Sequence, residues 1–224
     1  MFDYYADKLS AEKLKQVYQC ATTKINQYLQ AEINFVLEHV SADRAVLELG
    51  CGYGRVLASL AKKAGVTVGI DTSLASLQMA ARELNNLKNI YLVRGNAASL
   101  PFKNQSFDTV VCIQNGLSAF HVDPLLLVSE CLRVTRKAGM VFLSSYAAKF
   151  WDDRMEWFKI QSKLGLLGKI DPEKTSDGNI VCEDGFTATT YNKEKFERLM
   201  SNFKYPFKII EVDGSSLFCK ITVS

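Results

Sequence analysis

The sequence lacks the marks of several classes of protein. Its six cysteines are dispersed, with no C-x-x-C pair, so neither a metal cluster nor a disulfide framework is supported and we expect buried, reduced thiols. No apolar run reaches the ~18 residues of a membrane span. The stretch 1–10 lacks the apolar core of a signal peptide. These absences favour a cytoplasmic protein without a membrane association.

Dense basic runs are absent as well. The formal net charge of the 224 residues is only +3, and pairs such as Lys62-Lys63 are typical of a solvated surface. A nucleic-acid partner is therefore not expected. Apolar residues make up 48% of the chain and charged residues 23%, which is enough apolar material for one full core.

Short apolar strands alternate with helices through most of the chain. The predicted strands are 45–49, 66–70, 90–94, 107–113 and 140–145, and the predicted helices are 55–64, 73–84, 124–134 and 193–203. Strands that are apolar on both faces and separated by helices predict a parallel sheet covered on both sides.

The two ends of the chain follow other patterns. Residues 9–40 are predicted to be helical, with Thr22-Thr23 as a point where the helix can break in two. Two strands, 207–212 and 217–223, lie near the other end. The residues between them include Asp-Gly, which is typical of a hairpin turn, so the sheet is expected to close with an antiparallel hairpin.

A glycine-rich segment directly follows the first predicted strand. It reads Glu48-Leu49-Gly50-Cys51-Gly52-Tyr53-Gly54. Alternating glycines let the main chain turn sharply and approach a ligand without an intervening Cβ, and the N-terminus of the next helix favours negative charge. A nicotinamide-binding G-x-G-x-x-G loop would need glycine where Arg55 stands, which weakens a dinucleotide interpretation.

The stretch 46–55 resembles the first motif of the class I S-adenosylmethionine-dependent methyltransferases. The resemblance implies a doubly wound, Rossmann-like sheet of seven mostly parallel strands with an antiparallel terminal hairpin. It also implies that the glycine loop holds the methionine end of the cofactor, S-adenosylmethionine. The hairpin predicted at the chain end agrees with this fold.

Later segments resemble further motifs of the same family. Asp71 ends the second strand, where the resemblance implies that a carboxylate binds both ribose hydroxyls. The segment 95–102 is similar to the third-strand motif, with Asn96 in place of the usual aspartate and Ala97 beside the adenine ring. An amide oxygen can still accept a hydrogen bond, but without charge assistance.

The resemblance therefore implies one set of cofactor-binding residues. The set is Tyr28, Glu48, Gly50, Cys51, Gly52, Arg55, Asp71, Thr72, Asn96, Ala97, Gln114 and Asn115. Arg55 can pair with the carboxylate of the cofactor or be an exposed residue of the first helical turn. Tyr18 and Tyr28 are ten residues apart and can share a helix face over the cofactor, or else pack on the sheet.

His121 is the candidate catalytic residue. It follows the fourth strand, near the expected acceptor, and an imidazole changes charge close to neutral pH. The alternative is a structural histidine beside Phe120. Methyl transfer needs a general base only when the nucleophile starts protonated, so the base is not required by the chemistry.

We interpret the whole chain, 1–224, as one methyltransferase domain. Its segments are an N-terminal helical cap 1–43, a cofactor-binding core 44–146, an inserted substrate cap 147–191, and a last helix with the terminal hairpin 192–224. The segment 147–191 is too long for a simple connection and carries several aromatic residues and a probable small hairpin at 183–185.

The leading hypothesis is methyl transfer from S-adenosylmethionine to a small molecule. No N-P-P-Y or Pro-Cys motif follows the fourth strand, which disfavours adenine amino and cytosine C5 methylation. One alternative is a non-catalytic cofactor-binding or partner-binding module of the same fold. Another is a related transferase, such as one that moves aminopropyl groups, or a nicotinamide enzyme. The acceptor and the oligomeric state are not determined by the sequence.

Overall fold

The computed structural model describes residues 4–224, so the first three residues of the predicted N-terminal cap lie outside the described residues. The chain begins with helices α1 (Tyr4–Asp7), α2 (Ala11–Gln19) and α3 (Thr23–Leu37). The break predicted near Thr22 is confirmed, because the Thr22 side chain accepts a hydrogen bond from the Ile25 amide at 3.3 Å and caps α3. Two shorter helices thus replace one long one.

Seven strands form the central sheet and two more form a separate hairpin. The strands are β1 (Ala45–Leu49), β2 (Val66–Asp71), β3 (Ile90–Arg94), β4 (Phe107–Cys112), β5 (Thr135–Tyr146), β6 (Ile180–Val181), β7 (Thr187–Ala188), β8 (Phe207–Val212) and β9 (Ser216–Thr222). The large sheet has the order β3-β2-β1-β4-β5-β9-β8, with β6 and β7 paired outside it. The first five strands pair in parallel, and β9 runs antiparallel to β5 and β8. The predicted fold class is confirmed.

Buried apolar groups on both faces of this sheet are covered by helices. The helices after α3 are α4 (Arg55–Leu60), α5 (Leu74–Glu83), α6 (Gly116–Ala119), α7 (Pro124–Val134), α8 (Trp151–Lys163) and α9 (Lys193–Met200). Of these, α8 packs against α3. The Ser73 hydroxyl caps α5 and the Asn192 amide oxygen caps α9. Asp213 and Gly214 both have positive φ, at 54° and 68°, and the Ser215 amide donates to the Val212 carbonyl at 3.1 Å, which closes a tight turn before Val212 pairs with Ser216.

Strand β5 begins at Thr135, earlier than the predicted start at residue 140. Its pairing with β4 shifts register between Phe107 and Thr109, and Ala138 has a φ of 61°. The Ala138 amide donates to the Val223 carbonyl at 2.7 Å. The residues before the predicted strand therefore belong to an irregular strand start that pairs with the end of the chain at Val223.

The buried apolar side chains fall into groups on either side of the sheet, and one further group lies beyond it. We call this group the cap core, because it joins α1, α2 and α3 to α8 and the β6–β7 hairpin. Its largest members are Tyr4, Tyr28, Tyr146, Trp157, Phe158 and Phe186. None of the helices described within residues 4–224 is long and apolar enough to cross a membrane.

Candidate functional site

A cavity of about 350 Å³ opens at the carboxyl ends of β1, β2 and β4. Ligands of open α/β sheets bind at this edge. The predicted residues that line it are Glu48, Gly50, Cys51, Gly52, Arg55, Asp71, Thr72, Asn96, Ala97, Gln114 and His121. Tyr5, Leu9, Leu14 and Tyr18 close it from the N-terminal helices, and Phe120 and Val122 line it beside His121.

The glycine loop borders the cavity with main chain. Gly50, Gly52 and Gly54 have φ values of 67°, 53° and 89°, in the left-handed region that side chains with a Cβ avoid. The amides of Gly50 and Cys51 both donate to the Ile70 carbonyl, at 2.8 and 3.1 Å. This pairing ties the loop to the end of β2.

Cys51 contributes backbone rather than its thiol. The side chain is buried in an apolar cluster with Leu57 and Leu77, away from the solvent. Burial raises the pKa of the Cys51 thiol well above its ordinary value, with smaller contributions from the negative charges of Glu48 and Asp71. A neutral, buried thiol is not suited to act as a nucleophile.

Asp71 stands at the end of β2 and faces the loop. One carboxylate oxygen accepts the Gly52 amide at 2.8 Å, and the other accepts the Ser73 amide at 2.8 Å. A carboxylate oxygen can accept more than one hydrogen bond. The two backbone bonds fix the orientation of the carboxylate, which can then accept hydrogen bonds from a vicinal diol.

Asn96 and Ala97 border the cavity after β3. The Asn96 amide oxygen accepts the Ala98 amide at 2.8 Å, which folds the segment into a tight turn. Asn96 is exposed, whereas Ala97 is buried beneath the turn. The Asn96 side chain therefore stabilises the turn. One lone pair of its amide oxygen and its amide hydrogens are still available for further hydrogen bonds.

Three polar side chains meet where β1 and β4 end. Arg55 donates from Nη2 to the Gln114 Oε1 atom and stacks on the Tyr18 ring, with 4.4 Å between the guanidinium carbon and the ring centroid. Glu48 Oε2, Arg55 Nε and Gln114 Nε2 are buried without a hydrogen-bond partner. Burial raises the pKa of Glu48 well above its usual range, although the positive charge of Arg55 opposes the shift.

Tyr28 and Asn115 are not among the residues that line the cavity. Tyr28 is fully buried in the cap core and stacks on Tyr146, with ring centroids 4.7 Å apart. Asn115 is buried and accepts a hydrogen bond from the Ser145 hydroxyl at 2.7 Å. Of the two alternatives for Tyr18 and Tyr28, a shared helix face does not occur, because the chain breaks between α2 and α3, and of the two only Tyr18 lines the cavity.

Glu32 is a buried carboxylate that sequence reasoning missed. It accepts the Gln114 amide at 2.7 Å and the Ser216 hydroxyl, so it joins α3 to the end of β4 and to β9. Gln114 has a φ of 57°, and this bond holds it there. A sequence signal existed, since Glu32 lies on the same helical face as the apolar residues Tyr28, Leu29 and Val36.

His121 lies at the cavity wall, on the segment after α6. Its side chain is exposed and its φ is 49°. Phe120, the preceding residue, packs its ring over Gly50, where an added Cβ would come within 2.4 Å of a ring carbon. The segment thus brings the imidazole to the same cavity as the glycine loop.

The comparisons with known proteins agree with this architecture. A sequence model described as a methyltransferase domain matches residues 46–139. The chain is 27% identical over 169 residues to a demethylmenaquinone methyltransferase of Staphylococcus saprophyticus, covering 73% of this chain and 70% of that protein. It is also 27% identical over 170 residues to a ubiquinone biosynthesis O-methyltransferase of Histophilus somni, covering 73% of this chain and 66% of the relative.

Solved structures support the fold. A methyltransferase from Aquifex aeolicus that depends on S-adenosylmethionine superposes with a TM-score of 0.64 at 14% sequence identity, covering 96% of this chain and 100% of that one. The matched residues 46–139 include the glycine loop, Asp71 and the end of β4, which are the parts that form the cavity. The match to the methyltransferase-domain model and these relatives support a class I S-adenosylmethionine-dependent methyltransferase, with S-adenosylmethionine as the cofactor.

Proposed function

We propose that the cavity holds S-adenosylmethionine between the glycine loop and Asp71 and presents it to a small-molecule methyl acceptor. The observation that carries this assignment is the Asp71 carboxylate. Its two oxygens are oriented by the Gly52 and Ser73 amides at the edge of a cavity of about 350 Å³. A ribose diol matches such a carboxylate, and a glycine loop beside it leaves room for a close main-chain contact.

The unpartnered polar atoms of the cavity fit the amino-acid end of the cofactor. That end carries an ammonium and a carboxylate. The buried Glu48 Oε2 atom lacks a donor, and the buried Arg55 Nε and Gln114 Nε2 atoms lack acceptors. We assign Glu48 to the ammonium and Arg55 to the carboxylate, because each pairing supplies the partner that the buried group lacks.

At the other end of the cavity we assign Asn96 and Ala97 to the adenine, with Thr72 beside the ribose. Asn96 keeps an amide oxygen lone pair after it accepts the Ala98 amide, so it can accept a hydrogen bond from an exocyclic amine. Ala97 is buried and presents a small apolar surface to a ring face. These contacts carry less charge assistance than an aspartate would give.

When bound, S-adenosylmethionine supplies a methyl group already activated by its sulfonium. The protein has to orient both reactants and exclude water. Leu14 and Tyr18 of α2 close the cavity on one side, and Tyr18 is fixed by stacking on Arg55. His121 lies where it can take a proton from a hydroxyl or amine acceptor, and we propose it as the general base for such an acceptor.

The acceptor that we propose is a small molecule with an apolar body. The two curated relatives are named for quinone biosynthesis, and the cap core beside the cavity is rich in aromatic side chains. The expectations of a cytoplasmic protein without a nucleic-acid partner remain part of this proposal. They derive from the sequence, in which basic runs and a signal core are lacking.

Calorimetric titration with S-adenosylhomocysteine tests the assignment of Asp71. Asp71→Ala should weaken binding roughly 10- to 150-fold, because it removes charged hydrogen bonds worth about 1.5–3 kcal/mol. Asp71→Asn keeps the shape and one acceptor oxygen and should lose less. Asp43→Ala, at an exposed aspartate outside the cavity, is the control and should bind as the wild type does. Unchanged affinity of Asp71→Ala would refute the assignment.

A further inference from the structure

Arg154 is a buried cation in the middle of the cap core. It lies on α8 and is 0% exposed. Its Nη1 atom donates to the Gly178 carbonyl at 2.8 Å, but Nε and Nη2 have no hydrogen-bond partner. Among residues 4–224, none of the carboxylates forms an ion pair with it. Two donors of a buried guanidinium thus lack a hydrogen bond of normal geometry, although the Tyr146 side chain is near enough to stabilise the charge.

Such an arrangement is costly unless something compensates for the lost water. Burial lowers the pKa of Arg154, which shows that its surroundings disfavour the charge. The Tyr146 ring lies 4.5 Å from the guanidinium carbon, and the Phe158 ring 5.4 Å. Stacking on these faces offsets part of the cost, but it satisfies neither of the in-plane donors.

The surroundings of Arg154 are aromatic on several sides. Tyr28 stacks on Tyr146, with ring centroids 4.7 Å apart, and Trp151 lies 5.7 Å from the guanidinium carbon. The Tyr28 hydroxyl is a further buried polar atom without a hydrogen bond of normal geometry, and it lies near Glu32 and Tyr146. A ligand at this position would meet flat apolar surfaces, one guanidinium with two open donors and one phenol.

Two tyrosines connect this region to the cofactor cavity. Tyr5 and Tyr18 both line the cavity. Burial raises the pKa of the Tyr5 phenol, and the positive charge of Arg154 acts in the opposite direction. Tyr18 lies 6.2 Å from Trp157, which is one helical turn beyond Arg154. Side chains of the N-terminal helices that line the cavity thus also belong to the surroundings of Arg154.

We propose that Arg154 is the anchor of the methyl acceptor and that the acceptor is a planar, apolar carboxylic acid whose carboxylate pairs with Nε and Nη2. A carboxylate matches these two neighbouring donors in a bidentate pair, and the aromatic rings accommodate the body of the molecule. This inference rests on the proposed function, since it names the substrate class of the same site. The cofactor also carries a carboxylate, and we assign that carboxylate to Arg55 and not to Arg154.

The test is binding to the full chain saturated with S-adenosylhomocysteine. The probes are benzoate and biphenyl-4-carboxylate, each compared by calorimetry with its neutral carboxamide. We expect the acids to bind at least ten-fold more tightly than the amides. Arg154→Met should weaken the acids by roughly 10- to 150-fold while the affinity for S-adenosylhomocysteine is unchanged. Arg198→Met, at an exposed arginine of α9, is the matched control and should change neither affinity.

Several results would overturn the inference. One is equal binding of acid and amide, and another is full retention of acid binding by Arg154→Met. Displacement of the acids by S-adenosylhomocysteine would instead place Arg154 at the cofactor carboxylate. If Arg154→Met does not fold, Arg154→Lys keeps the charge without the planar fork and should still bind the acids more weakly than the wild type. A wild type that binds S-adenosylhomocysteine but no acid refutes this inference alone, whereas one that does not bind S-adenosylhomocysteine refutes the proposed function.

Discussion

The glycine loop and the cap core lie on opposite sides of one cavity, and they are built differently. The loop and its partner Asp71 come from 24 consecutive residues, 48–71, and their geometry is set by backbone φ values and backbone hydrogen bonds. The cap core joins Tyr4 near one end of the described chain to Phe186 near the other, and its geometry is set by side-chain packing. The loop is therefore fixed locally and the cap core by tertiary contacts alone.

Because of this difference, substitutions in the two regions should have different effects on cofactor binding and on stability. A change in the loop should alter cofactor binding more than stability, because its main chain borders the cavity and orients Asp71. A change in the cap core should alter stability more than cofactor binding, because large rings pack there. Substitutions in the glycine loop and in the cap core test this difference when each variant is measured both by urea unfolding and by binding of S-adenosylhomocysteine.

Trp157→Ala is expected to have the largest effect on stability. The ring is 4% exposed, packs against Tyr18 and Phe158, and donates its indole N–H to the Val17 carbonyl at 3.1 Å. Its removal should lower the free energy of unfolding by about 3–5 kcal/mol, measured in urea. Trp151→Ala, at a half-buried tryptophan of the same helix, should lose less. A fall in S-adenosylhomocysteine affinity as large as the fall in stability would contradict the separation.

The pH dependence of stability should be the next largest effect. It tests Glu32, the buried carboxylate that joins α3 to the end of β4. Burial raises the pKa of Glu32 from 4.5 to about 7, while hydrogen bonds from Ser216, Ser144 and the Gln114 amide act in the opposite direction. Between these values the folded chain holds a proton that the unfolded chain has released. Stability should therefore fall as the pH rises from about 4.5 to 7, by up to about 3 kcal/mol.

Urea unfolding at several pH values measures this fall. Glu32→Gln should flatten the profile and leave only the part due to other buried carboxylates such as Glu48, whose pKa is also raised by burial. Glu38→Gln changes an exposed glutamate of the same segment and should keep the wild-type slope. A slope in Glu32→Gln equal to that of the wild type would show that Glu32 is not the titrating group.

The sequence predicted the elements that local patterns encode. Strands β1 and β3 have the predicted bounds, and α7 does as well, because apolar periodicity and the Asp123-Pro124 start define them. The cavity contains most of the predicted site residues because they follow strand ends of a parallel sheet. Their assignment to parts of the cofactor is still a prediction.

The misplaced residues depend on tertiary contacts. The ten-residue spacing of Tyr18 and Tyr28 allowed a shared helix face, but the short break between α2 and α3 places Tyr28 in the cap core. The burial of Arg154 could not be predicted from the sequence, because one arginine in a helix of mixed polarity is ordinary. The side chain is buried only when α8 packs against α3. Strand β5 was predicted too short because its irregular start pairs with β4 across a register shift.

Gly52→Ala should act mainly on the cofactor. Its φ of 53° would cost a residue with a Cβ about 1–2 kcal/mol, and its amide orients Asp71. Gly185→Ala is the matched control, because Gly185 also has a positive φ, of 94°, but an added Cβ meets nothing within 4 Å. An added Cβ at Gly52 would also come within 2.9 Å of the Leu14 side chain, so Gly52→Ala should lose at least as much stability in urea as Gly185→Ala. Only Gly52→Ala should bind S-adenosylhomocysteine more weakly, by roughly ten-fold. Equal affinities in the two variants would mean that the loop does not contact the cofactor.

Tyr4→Phe should have the smallest effect. It tests how much one hydrogen bond stabilises the packing of the N-terminal helices against the cap core. The Tyr4 hydroxyl donates to Asp184 at 2.5 Å, and its loss should cost about 1 kcal/mol. Because that bond ties α1 to the β6–β7 hairpin, the amides of residues 4–19 should exchange with deuterium roughly five-fold faster, while those of the central sheet do not change. Tyr91→Phe, at a tyrosine that is 56% exposed, should leave both regions as they are. If exchange increased equally throughout the chain, α1 and α2 would open only when the whole domain unfolds, and the wall that they form over the cavity would not move independently of the glycine loop.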